Sequence, residues 1–120
     1  PPSARANAGE TELELVKRAQ ALLASDPGGA LAVTSQHARG YPSGEFVQER
    51  EVIAIEALSL LGRREEALQR ACALVQRFPR TPYATRLEVA IQRPLSSISD
   101  CAAAPNPNAR QGSQITAPRP

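Results

Sequence analysis

The sequence predicts an all-α fold of about five helices folded into antiparallel pairs, and three observations carry that prediction. Apolar residues recur at steps of three, four and seven through most of residues 11 to 93, the spacing that lines one face of a helix. Thr, Asp, Gly and Pro stand at the edges of those runs, where helices start and stop. The chain also overlays on itself at a shift of 37 residues, bringing Ala30-Leu31 onto Ala67-Leu68, Leu23 onto Leu60 and Tyr41-Pro42 onto Phe78-Pro79. Such self-similarity marks a helical repeat.

Residues 1 to 10, PPSARANAGE, are Pro, Ala, Gly and polar without periodicity and read as a linker. Thr11 and Glu14 form a T-x-x-E capping box that opens the first helix, each side chain taking one backbone N–H the helix leaves unpaired. Leu13, Val16, Leu23 and Ala24 share a face to about Ser25, with Gln20 interrupting it. Asp26 as N-cap and Pro27 at the first position, where its missing N–H costs nothing, open the second helix. Gly28 and Gly29 weaken that first turn by up to about 1 kcal/mol each. Ala30, Leu31, Val33, Thr34, His37 and Ala38 then carry the helix to about Arg39, and Gly40-Tyr41-Pro42 ends it.

The central hairpin runs from Glu45 to Pro79. Ser43 is the expected cap of its first helix, whose stripe is Phe46, Ile53, Ala54, Ala57, Leu60 and Leu61. Gly62 suits a left-handed exit that costs other residues more. Glu65 and Glu66 sit where the unpaired N–H groups of the second helix favour carboxylates, and Ala67, Ala71, Leu74, Val75 and Phe78 make its stripe up to Pro79. Thr81-Pro82 opens a fifth helix with Tyr83, Leu87, Ala90 and Ile91 inward, and Arg93-Pro94 closes it. Residues 94 to 120 hold no helical stripe and read as a disordered tail, leaving 11 to 93 as the folded domain.

Composition excludes several function classes. Lys and Arg number 14 against 12 Asp and Glu, so the formal charge is only +2, and the two signs alternate along the chain. A nucleic-acid face needs a basic stripe that displaces counterions, and none is present. No window reaches the ~18 apolar residues of a membrane span. The chain begins at Pro1 and contains no methionine, so it reads as a processed protein or a piece of a longer one. The two cysteines, Cys72 and Cys101, have no metal-ligand spacing. Cys72 reads as a small buried apolar residue, with a bond to Cys101 left open.

Leu61, Gly62, Ala67 and Pro79 stand at the spacing of the second half of a tetratricopeptide repeat, with Ala71 and Leu74 at two further packing positions, and Ala30 and Pro42 match in the first copy. The chain resembles that family. Departures are the longer period, Ser25 in place of a glycine, the missing large aromatic of the first helix and Ala71 in place of a phenylalanine. The longer period and the run Arg77 to Ala84 are similar to repeats of bacterial cell-envelope proteins of the Tol-Pal coordination and outer-membrane assembly type. The resemblance implies a right-handed α-solenoid fragment whose first helices line a concave groove for a peptide or partner segment. Carried over by position, that groove is lined by Glu12, Leu15 and Ala19, by Glu49, Val52, Glu56 and Ser59, and by Arg86, Val89 and Arg93. It also implies a periplasmic or envelope setting, with a cytoplasmic adaptor as the alternative.

Catalytic chemistry finds little to work with. His37 is the single histidine, and it reads as a helix-end residue favourable to the local dipole. No serine sits in a nucleophile elbow, no glycine-rich loop follows a strand, and no cofactor site is expected. Glu45, Glu49, Glu51 and Glu56, with Arg50, Arg63 and Arg64, read as a solvated surface of mixed sign. The expected function is non-enzymatic protein binding or scaffolding. The alternatives are a sensory or docking domain of a membrane-anchored transcription regulator, or a homodimerisation domain burying Leu15, Ala19, Leu22, Val89 and Ile91.

Overall fold

A computed structural model describes residues 9 to 98, and the expectations for residues 1 to 8 and 99 to 120 lie outside it. The described chain is all-helical: α1 (Glu12–Leu22), α2 (Pro27–Gly40), α3 (Val47–Leu60), α4 (Arg64–Arg77), α5 (Ala84–Ile91) and a closing 3-10 turn, Leu95–Ile98. Short connections fold consecutive helices antiparallel. First helices of successive pairs lie side by side and parallel. Glu12 at the start of α1 bonds the start of α3, Glu49 at the start of α3 meets Tyr83 at the start of α5, and Ser59 bonds Ala90 near the far ends. The result is a helical repeat-like stack with α3 at its centre, packed against all four other helices.

Local signals explain most boundaries. The Thr11–Glu14 capping box is made in both directions, and the Asp26 carboxylate accepts from the Gly29 N–H with Pro27 at the first helical position. Gly62 turns between α3 and α4 with φ at +79°, a region where a Cβ meets its own carbonyl. Ser43 does not cap α3. The start of α3 has no side-chain cap of its own; the amides of Glu45 and Phe46 donate instead to the Glu12 carboxylate, across the pair boundary. A Cβ at Gly44 would overlap that carboxylate, so the small residue there admits it.

Two apolar clusters share α3. Ile53 and Ala57 pack with Leu15, Val16, Ala19, Leu23, Ala30 and Val33, while Val52, Ile55 and Leu58 pack with Ala67, Ala71, Leu74, Leu87, Ile91 and Ile98. This rotates the buried arc of α1 away from the expected stripe: Leu15 and Ala19 are buried, and Leu13 is 46 % exposed. The reason is that α1 faces α2 and α3 together. Leu60 and Leu61, expected in the α3 stripe, are 61 % and 40 % exposed because the helix ends there and no later element among the described residues covers them. Arg50, expected in solvent, is buried.

Leu95–Ile98 forms a 3-10 turn, and Ile98 seats in the second cluster, where its burial, worth about 2 kcal/mol, offsets part of the entropy of ordering that turn. Cys72 is buried as expected, with its Sγ 3.2 Å from the Ile98 carbonyl oxygen. Cys101 lies outside the described residues.

Because Gly62 holds a positive φ with open space around it, Gly62→Ala is expected to lose about 1 kcal/mol through backbone strain alone. Urea unfolding of the two proteins measures this, and Gly62→Asn is expected to lose less.

Candidate functional site

The ten expected groove residues separate into four groups. Leu15, Ala19 and Val52 are closed inside the core, 3 %, 1 % and 0 % exposed, and offer no surface to a ligand. Glu12, Glu49, Glu56, Ser59 and Arg86 are partly buried and bonded to neighbouring helices. Arg93 is exposed and turns toward Ser97, bonding its hydroxyl and carbonyl oxygens. Val89 alone is a large exposed apolar side chain, 72 % accessible.

The polar members hold the first helices together. Glu12 accepts from the Phe46 N–H at 2.9 Å, and its counterpart one repeat on, Glu49, accepts from the Tyr83 hydroxyl. Phe46 and Tyr83 are themselves 37 residues apart, so each acid reaches the N-cap of the next first helix. The bond to Glu49 raises the Tyr83 phenol above its ordinary pKa, and burial adds to the shift. Arg86 spans all three first helices: its guanidinium forks onto both Glu56 oxygens at 2.7 Å and reaches Gln20. That bidentate contact with Glu56 raises the pKa of the Arg86 guanidinium, as expected where a carboxylate favours the charged form. Charges spent on each other in this way are not free to select a ligand.

What remains open is an apolar cleft. A space of about 350 Å³ lies where the C-terminal ends of α1, α3 and α5 converge, lined by Leu23, Glu56, Ser59, Leu60, Arg64, Val89, Ala90 and Gln92. Glu56, Ser59 and Val89 were expected from the sequence; Leu23, Leu60, Arg64, Ala90 and Gln92 were not. The 37-residue shift that aligns Leu23 with Leu60 was the available signal for two of them. A second space of equal volume lies beneath the α4–α5 loop, lined by Gln48, Arg77, Phe78, Pro79, Arg80 and Thr81. It presents no large exposed apolar side chain, whereas the first presents Leu60 and Val89.

No protein-family model, curated protein or solved structure matches this chain. The functional reading therefore stands on the geometry alone. Among the described residues no helix is long and apolar enough to cross a membrane, and no cluster of three His, Cys, Asp or Glu side chains is placed to hold a metal ion.

If Glu56 is a packing residue and Val89 a free one, their substitutions must diverge. Glu56→Gln is expected to lose about 1 kcal/mol in urea unfolding, the worth of a partly buried charged fork. Val89→Ala is expected to stay within about 0.5 kcal/mol of the parent, as exposed positions do.

Proposed function

We propose that this chain is a non-enzymatic, tetratricopeptide-like interaction module that seats an apolar segment of a partner protein in the cleft between α1, α3 and α5. The observation that carries the reading is a broken repeat. Leu15, Val52 and Val89 occupy one register at 37-residue steps; the first two are buried, and Val89 is exposed. In the first two copies the next first helix covers that position. After α5 only the 3-10 turn Leu95–Ile98 follows among the described residues, and the uncovered position opens on the cleft with Leu60 beside it. An exposed apolar pair on a concave, otherwise polar surface is the usual signature of a binding site.

A periplasmic or envelope setting belongs to the same reading and rests on the repeat resemblance. Self-association has less to draw on than the sequence suggested. Leu15, Ala19 and Ile91 are already buried within one chain, leaving Val89 as the large apolar contribution from α5.

Selection of a random peptide display library on the immobilised protein tests the proposal. Apolar-rich binders are expected, and Leu60→Glu with Val89→Glu is expected to weaken them at least about tenfold, about 1.4 kcal/mol, with unchanged helicity by circular dichroism. Absence of selectable binders, or affinities indifferent to the double substitution, would remove the cleft from consideration.

A further inference from the structure

His37 is 1 % exposed at the corner where α1, α2 and α3 meet. Its Nε2 lies 3.0 Å from Glu12 Oε2, and its Nδ1 lies 3.3 Å from Arg50 Nη1. A guanidinium nitrogen has protons and no lone pair, so Arg50 can only donate, and Nδ1 must accept. The ring proton is then on Nε2, donated to Glu12. This one neutral tautomer satisfies both contacts, and a second proton has no place except Nδ1, facing a buried cation.

The surrounding charges have been arranged on every side. Glu12 comes from α1; Arg50 and Glu51 come from α3, bonded to each other at 3.1 Å; and Tyr41, following α2, lies with its ring centroid 5.5 Å away. Burial and Arg50 disfavour the imidazolium, while Glu12 and Glu51 favour it; burial is the largest influence, and the net effect holds the His37 pKa below 6.5. Glu12 is also the acceptor for the first amides of α3. The ring and the α3 start therefore share one carboxylate, and disturbance at the ring reaches the seam between the first pair and the rest. The next copy has no such device: Leu74 and Leu87 stand 37 residues beyond His37 and Arg50.

We infer that His37 is an acid-sensitive latch, in which a proton taken up at Nδ1 breaks the Arg50 hydrogen bond and loosens α2, with α1 held to it through Glu12, from α3 while α3, α4 and α5 stay packed. Since the turn after α1 supplies Leu23 to the cleft and α1 supplies Gln20 to its Arg86 brace, loosening the first pair would also regulate the partner site proposed above. The latch itself is tested without any partner.

A histidine whose folded pKa is depressed contributes stability that is complete above its unfolded value of 6.5 and is lost as pH falls from there through the folded value. Glu12, which burial pushes up but the Phe46 and Glu45 amides and His37 hold below 4.5, adds its own loss only at lower pH. The experiment is hydrogen exchange by mass spectrometry between pH 7.5 and 5.0, corrected for intrinsic rates. Protection of the α1 and α2 amides is expected to fall about tenfold for each unit by which the folded pKa is depressed, with α4 and α5 unchanged. As the single histidine, His37 also gives one ring signal in NMR, expected to titrate below 6.5. His37→Gln, which can donate to Glu12 and accept from Arg50 without titrating, is expected to abolish the pH dependence. Should that variant fail to fold, Arg50→Met removes the opposing cation and is expected to shrink the dependence. Flat protection across the range, loss spread equally over all helices, a ring midpoint at or above 6.5, or undiminished pH dependence in the variant that folds would each overturn the latch.

Discussion

Helix α3 is packed against all four other helices, so the burial of its side chains joins two apolar clusters into one body. Val52, Ile53, Ile55 and Leu58 are at most 2 % exposed. Removing each from water is worth about 2 kcal/mol, and the four together rival the whole net stability of an ordinary domain, about 5–15 kcal/mol. A helix surrounded in this way cannot be amphipathic. Of its polar residues, Arg50, Glu51 and Glu56 find partners inside the stack on His37, Arg70 and Arg86.

A second constraint follows from placing three first helices side by side. Each presents polar atoms to the next, and burial without a partner would cost more than a hydrogen bond returns. The chain answers with a repeated contact, an acid in the first turn reaching the start of the following first helix, and with Arg86 tying all three. This moves the functional weight of the surface from charge to shape. The carboxylates and guanidinium that seemed suited to a ligand are occupied by each other, while Leu60 and Val89 are left uncovered over a cleft.

The same economy explains the first corner. His37 has neighbours of both signs, and its burial leaves it one comfortable protonation state. Its counterpart Leu74 fills the same position without titrating. One repeat is thus closed by a group that responds to pH and the other by one that does not, within nearly the same backbone arrangement.

Much of the helical layout was legible in the sequence, because caps and turns are local. The Thr11–Glu14 box, Asp26 with Pro27, and Gly62 act within a few residues, and each is where the sequence placed it. Periodicity marked α4 correctly, since it has one buried face. What the sequence could not show was how far each helix is covered, because coverage depends on neighbours distant in the chain. It hid the rotation of α1, the burial of Arg50 and His37, the exposure of Leu60, and the cap that Glu12 supplies to α3 from 34 residues away. The sequence by itself therefore determined that residues 9 to 98 are all-helical, where most of their helices begin and end, and that the pattern repeats at 37 residues. Only the tertiary structure decided which acids are spent on packing and which apolar residues remain for a partner, since a side chain is free or occupied only once its neighbours have been brought beside it.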